Sequence, residues 1–311
     1  LGSACSVFAR PVRARSGLVR DPSHMASKIA WLRRLAAAAA GAARFHQPVS
    51  YLVARLTGER VWDHGLASIS MLYGLTRRDY DPGFLEAFGL ARGALPRVAG
   101  AEQAAGALSA EGARLTGLKP GTPVAVGTGD DYASPLGAGM VEPGAVACIS
   151  GTAEVVGGLA RQAVLDPAGL VETHCYPGGL YFVENPGWLS GGAVAWLAGT
   201  CGLADAQAVA RLAAEVPAGA EGVRFLPALS GAMAPEWVPA ARGCFYGLAA
   251  GHGAGHLARA LLEGCAFAMR DVVERLAELG VAAEHILLMG GAARDATWAR
   301  IRADSSGLPV L

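Results

Sequence analysis

Two adjacent carboxylates, Asp130 and Asp131, stand behind Gly127-Thr128-Gly129 and an apolar run, Val124-Ala125-Val126. The run reads as a buried strand. Carboxylates at the C-terminal end of a strand, behind glycines that let a ligand approach the backbone, lie where α/β proteins carry out their chemistry. A second apolar strand, Ala145 to Ile149, turns at Ser150-Gly151-Thr152 into a third at Val155-Val156. A Gly-Thr turn of this kind offers backbone N–H groups and a hydroxyl, which suits a phosphate. Each feature also has a plainer reading, with Asp130 as a helix cap and Gly151 as a hairpin residue.

Gly290-Gly291-Ala292 follows an apolar strand, His285 to Met289, and precedes a helix from Thr297 to Ser306. Glycine there lets backbone approach a ribose or phosphate, although taken alone the signal favours ordinary helix–strand packing. Neither a G-x-G-x-x-G fingerprint nor a G-x-x-x-x-G-K-[ST] loop is present. His252 and His256 are four apart in a Gly-rich approach to a helix, with no third ligand near in sequence. Their spacing favours a surface or capping role over a metal, and no metal site is expected.

These groups need a scaffold, and the chain has the length for one. At 311 residues it suggests about two domains. Lys+Arg and Asp+Glu both number 26, so net charge gives no electrostatic case for nucleic acid or an anionic membrane. The 43 glycines and 7% aromatics suit many tight strand–helix turns. Six scattered cysteines without a C-x-x-C pair read as reduced thiols of a cytoplasmic protein.

Residues 1–20 carry four arginines and no acidic residue, and are expected to be a disordered leader. From Asp21-Pro22-Ser23, Met25, Ile29, Leu32 and Leu35 fall at helical spacing, and the alanines at 36–40 prolong that helix without reaching membrane length. Further helices are expected from Pro48 to Leu56, from Pro82 to Phe88, and after Ser190-Gly191-Gly192. The clearest spans His256 to Leu279 and stops at Gly280. Strands alternating with helices argue for α/β layers.

The order of these pieces adds a further signal. After the G-x-G-D strand end and the Ser-Gly-Thr hairpin come Ala241-Arg242-Gly243-Cys244-Phe245-Tyr246-Gly247-Leu248, the helix HLARALLEGCAFAMRD, and MGGAARDATWARIRADSSGLPV. From about Asp21 to Leu311 the chain resembles the FGGY family of carbohydrate kinases, most closely its xylulokinase-like members. The resemblance implies a partial actin/hexokinase-like (ribonuclease-H-like) two-lobe fold. Residues 21–143 would be the C-terminal half of the first lobe, and 144–311 the second, nucleotide-binding lobe.

The same resemblance implies ATP-dependent phosphorylation of a sugar hydroxyl, with Mg²⁺, a pentulose or related polyol as the small-molecule partner, and an oligomer left open. Asp130 takes the position of the general base. Asp131 stands where the family has Asn or Gln on the substrate, so an amide donor has become an acceptor-only group. Gly151 and Thr152 fall on the phosphate loop. Gly290, Gly291 and Ala292 fall on the adenosine loop with one glycine replaced, Asp295 lies near adenine or ribose, and Gly192 lies in the nucleotide cleft.

The family's N-terminal D-x-G-T hairpin has no counterpart here, and relatives continue beyond G-L-P-V. The expectation is therefore a fragment that is not by itself a competent kinase, looser before Val141 than after Gly144. Two alternatives stand beside the kinase. One is a non-catalytic remnant that binds sugar or nucleotide weakly or not at all. The other is a dinucleotide-dependent oxidoreductase resting on Gly290-Gly291, which the missing fingerprint opposes.

Overall fold

The computed structural model describes residues 9–35, 44–232 and 237–311. The chain forms two compact units. Unit 1 takes the chain up to Leu136 with Arg161–Leu165 and Thr173–Phe182, and unit 2 takes Gly137–Ala160, Asp166–Glu172 and Val183–Leu311. A single division between 143 and 144 thus gives way to one in which two short later segments fold with unit 1.

Unit 1 opens with α1 (Ala9–Ser16), where the sequence suggested a disordered leader. Val12 and Leu18 are core residues, and the buried Ser16 hydroxyl donates to the Val12 carbonyl at 2.7 Å. The Arg15 guanidinium pairs with Asp81 and lies 4.8 Å from the centre of the Phe84 ring. The leader lacks acids of its own, and its partner comes from 66 residues along the chain. That distance hid the contact from local reading.

Helix α2 (Met25–Leu35) buries Ala26 and Ile29; the expected continuation over residues 36–40 lies outside the described residues. Helix α3 (Pro48–Thr57) starts on Pro48 and ends at Gly58, whose φ of 84° supplies the left-handed stop. Strands β1 (Val61–Asp63), β2 (Tyr73–Gly74), β3 (Asp79–Tyr80), β4 (Arg97–Ala99), β5 (Ala104–Ala107) and β6 (Pro123–Ala125) pair two by two. β1 runs parallel to β4, whereas β2–β3 and β5–β6 are antiparallel. Helices α4 (His64–Ser68), α5 (Pro82–Ala87), α6 (Ala110–Thr116) and α7 (Asp130–Gly137) complete the unit.

The Val124 run is not a buried strand. Pro123 and Ala125 are exposed and Val124 is half-buried, because β6 is one edge of a two-stranded ribbon. Only Val126 enters a core, with Val53, Val61, Ala99 and Ala105.

Unit 2 is built on a sheet with strand order β13-β7-β8-β10-β9. Its strands are β7 (Ala145–Ser150), β8 (Ala153–Ala160), β9 (Glu172–Cys175), β10 (Tyr181–Leu189) and β13 (His285–Gly290); β9 and β10 straddle the division between units. A separate ribbon pairs β11 (Arg224–Leu226) with β12 (Cys244–Tyr246). β7 and β8 form the expected hairpin, and β13 lies parallel to β7 with Gly290 opposite Ser150. Helices α8 (Gly191–Thr200), α9 (Ala206–Ala214), α10 (Ala254–Glu278) and α11 (Ala296–Ser306) complete the unit. α10 buries Leu261, Cys265, Met269, Val272 and Leu276 along one stripe, and Gly280 at φ 82° ends it. Among the described residues no helix is long and apolar enough to cross a membrane.

At the centre of unit 2 lies an ion pair with no solvent exposure on either side chain. Arg302 of α11 donates both terminal nitrogens to the Glu154 carboxylate of β8, each at 2.6 Å. Burial opposes the Arg302 charge, but Cys148 and Glu154 beside it outweigh that and raise its pKa. Losing one partner leaves the other charge buried and alone. Arg302→Met should therefore lower unfolding free energy by about 3–5 kcal/mol, and adding Glu154→Met should restore most of it. Denaturant titration of the two variants checks this; equal losses would contradict it.

Candidate active site

In unit 1, Asp130 and Asp131 form the first turn of α7 and are both exposed. Asp130 is not the cap, since the Gly129 carbonyl receives the Tyr132 and Ala133 N–H groups. Acidic residues in that first turn complement the positive end of the helix. The helix is anchored by Tyr132, which is 1% exposed and packs edge-on against His174, Tyr176 and Phe182. Gly127, at φ 72°, makes the bend before it.

The loop before Asp130 is tied down by Asp63, which is not among the site residues expected from the sequence. Asp63 is 1% exposed; it accepts from the Gly65 and Leu66 N–H groups at 2.9 and 3.2 Å and from the Thr128 hydroxyl at 2.8 Å. An Asp heading a short His-Gly-Leu-Ala helix is an N-cap signal that local reading could have found. Burial raises the Asp63 pKa despite those hydrogen bonds.

Asp63 also lines a polar cavity of about 180 Å³ with His64, Arg78, Glu102, Gln103 and residues 176–179. His64 Nδ1 lies 2.7 Å from the Tyr73 hydroxyl. Burial, aided by Arg78, lowers the His64 pKa, and burial raises that of Tyr73. A protonated phenol facing a neutral ring donates to Nδ1 and leaves the imidazole proton on Nε2. Arg78 holds a φ of 53°, a strained backbone for a side chain of that size. Neither Asp130 nor Asp131 is in this lining.

In unit 2 a cleft of about 260 Å³ collects Ser150, Gly151, Gly191, Gly291, Ala292 and Asp295, with Arg294, Gln207 and Trp298 beside them. Gly151, Gly291, Ala292 and Asp295 of the expected nucleotide set are thus brought together. Thr152, Gly192 and Gly290 are adjacent in sequence but are not in the lining. Gly191 takes the place expected of Gly192: a Cβ there would meet the Gly151 carbonyl oxygen at 2.3 Å. Asp295 caps α11 by accepting from the Trp298 N–H at 2.8 Å.

The expected cradle of backbone donors is narrower than the sequence suggested. The Gly151 N–H bonds the Ala153 carbonyl, and those of Ser190, Gly191 and Gly192 bond the Gly151 and Thr152 carbonyls at 3.0–3.1 Å. Among the described residues, Thr152 keeps both its N–H and its hydroxyl without a hydrogen bond. Arg294, exposed and without an ion pair among the described residues, adds a positive charge that sequence reasoning missed.

His252 and His256 do find a third potential ligand, Glu221, with one ligand atom of each within 4.8 Å. However, His252 Nδ1 accepts the Ala249 N–H at 3.0 Å and His256 Nδ1 accepts the Gly253 N–H at 3.1 Å. Neutral rings so held carry their protons on Nε2, the reverse of what a cation on Nε2 requires. The pair caps the entry to α10, with His256 Nε2 turned to Glu221 at 3.3 Å.

With both clefts described, comparison with known proteins adds the family. The C-terminal domain of the FGGY family of carbohydrate kinases matches residues 146–311, and its N-terminal domain matches residues 6–137. The chain belongs to this family. It is 37% identical over 319 residues to a glycerol kinase of Geobacter sp. (strain M21), covering 96% of this chain and 62% of that protein. To the xylulose kinase of Escherichia coli (strain K12) it is 31% identical, covering 95% and 61%. A crystal structure of a xylulose kinase from Rhodospirillum rubrum superposes with a TM-score of 0.88 at 33% identity, covering 97% of this chain and 62% of that one. The chain thus spans about three fifths of the length of the relatives it matches, and has the actin/hexokinase-like fold of FGGY kinases.

Two variants separate fold from cleft. Gly290 sits at φ 83°, and a Cβ there would lie 2.4 Å from the Ser150 carbonyl oxygen. Gly291 has no such φ, and its nearest neighbour, the same oxygen, is at 4.0 Å. Gly290→Ala should cost about 1–3 kcal/mol, while Gly291→Val should unfold within about 1 kcal/mol of the parent. Thermal unfolding decides; equal sensitivity at both positions would count against the geometry.

The pH dependence carries the mark of Asp63. As pH rises from the ordinary 3.8 through the raised folded value, the folded chain surrenders a proton it holds more tightly than the unfolded chain, so stability falls across that window. Asn keeps the capping oxygen without the charge. Urea midpoints at about pH 4 and about pH 7 should fall with pH less in Asp63→Asn than in the parent.

Proposed function

We propose that this chain is the larger part of an ATP-dependent kinase acting on a hydroxyl of a pentulose such as xylulose or a related polyol. The observation that carries the reading is the unit 2 cleft, where glycine-rich turns from residues 150–151, 191 and 291–292 converge beside the Arg294 side chain, with Thr152 next to Gly151 in the chain. Chain segments 140 residues apart supply glycine backbone at the cleft wall, and Arg294 supplies a cation suited to an anion. That combination fits a nucleotide better than a packed helix–strand joint.

Asp130 is the general base in this reading. Exposed at the first turn of α7, it can accept the hydroxyl proton as the oxygen attacks the γ-phosphate, while Asp131 contacts the substrate. Among the described residues Asp295 is the one carboxylate in the cleft lining, and it is turned to the Trp298 N–H. We therefore assign Mg²⁺ to the incoming Mg·ATP and give it no protein ligand here. The five described cysteines are free thiols, which suits a reducing compartment such as the cytoplasm.

ADP release over a panel of polyols and ketoses, beginning with glycerol and xylulose, tests the activity in the longer protein of which this chain is proposed to be the larger part. Asp130→Asn keeps the shape but not the basicity, so turnover should fall roughly 10²–10⁴-fold with little change in substrate affinity. A variant that keeps its turnover removes Asp130 from the role. Gly291→Val should weaken ATP binding by calorimetry, and a parent chain that prefers NADH to ATP overturns the kinase reading.

A further inference from the structure

Resting on the nucleotide reading of the unit 2 cleft, we infer that the buried Glu154–Arg302 pair is a positioning device that holds the Ser150-Gly151-Thr152 turn, whose first two residues line the cleft, in place for the phosphate chain. The Glu154 carboxylate receives more than its arginine. Oε2 accepts from the Ser190 hydroxyl at 2.6 Å and from the Ser150 hydroxyl at 3.2 Å, and Oε1 accepts from the Cys148 thiol at 3.4 Å. Arg302 also reaches the Ser150 hydroxyl at 3.4 Å. Ser150, Glu154, Ser190 and Arg302 are at most 2% exposed.

The two serines flank the turn. Ser150 precedes Gly151, and its carbonyl oxygen is the atom against which Gly290 packs. Ser190 donates its N–H to the Thr152 carbonyl at 3.1 Å, and Gly192 donates to the same oxygen at 3.0 Å. The Thr152 carbonyl is therefore held from the α8 side, and its N–H and hydroxyl remain free. Arg302 lies two turns along α11 from Asp295 and one turn from Trp298, which line the same cleft, and its guanidinium lies 4.8 Å from the centre of the Trp298 ring. One carboxylate thus ties the hairpin turn, the start of α8 and the body of α11 together.

A buried ion pair adds little stability over apolar side chains of similar volume. What apolar side chains cannot supply is direction. A carboxylate has about four lone-pair sites and fixes several donors at once, and a binding group is effective only when the groups behind it are themselves locked.

The test uses Ser190→Ala, Ser150→Ala and the double variant Glu154→Met/Arg302→Met in the 311-residue chain. Amide exchange at Ser190, Gly191 and Gly192 should accelerate by about tenfold in the double variant and in Ser190→Ala, while α10 is unchanged. ATP affinity should fall about tenfold and adenosine affinity less than twofold, a split that general destabilisation does not produce. The serine variants keep the ion pair and carry the test if the double variant does not fold. Unchanged exchange at the three amides, or ATP and adenosine weakened alike, overturns the proposal. A parent chain that binds no ATP overturns the nucleotide reading instead, and the exchange measurement then decides alone whether the pair holds the turn.

Discussion

The Glu154 carboxylate is the point on which unit 2 depends. Arg302, Ser150, Ser190 and Cys148 all direct donors to it from three separate stretches of chain. β10 presses so closely on the same residue that a Cβ on Gly187 would lie 1.1 Å from the Glu154 carbonyl oxygen. Close packing makes such a node stiff, because none of its members can move without leaving a buried polar group unpaired. The glycine-lined cleft inherits that stiffness through Ser150 and Ser190.

Unit 1 uses the same principle with a single charge. Asp63 has no cationic partner in the hydrogen bonds it makes, so its buried carboxylate relies on two backbone N–H groups and the Thr128 hydroxyl. Burial raises its pKa because those donors replace water incompletely. In return, the loop that carries Asp130 is joined to the start of α4, and Tyr132 fixes the following helix from the other side. Asp130 remains exposed between these two anchored points.

The glycines divide by physical role. Gly290 has to be glycine for backbone reasons, with its positive φ and a carbonyl oxygen in the place of a side chain. Gly191 is glycine because the Gly151 carbonyl lies where its Cβ would go, and that contact shapes the cleft wall. Gly291 has neither constraint in the fold. Its lack of a side chain matters to the cleft alone.

The sequence by itself determined the elements whose signals are local. Periodic apolar residues with a glycine stop marked α10, a proline and a glycine bracketed α3, and the β7–β8 hairpin followed from two apolar runs around Ser150-Gly151-Thr152. The ordered motifs from Asp130 to Val310 also pointed to the family that the domain matches give. Tertiary structure decided whatever depends on partners far apart in the chain. It joined the helix at Ala9–Ser16 of the basic leader to an acid 66 residues away and spent most of the expected phosphate donors on neighbouring carbonyls. It also put Gly191 rather than Gly192 on the cleft wall, and joined Glu154 to Arg302 across 148 residues. Hydrogen-bond partners and buried charges are properties of which surfaces meet, and no local periodicity records them.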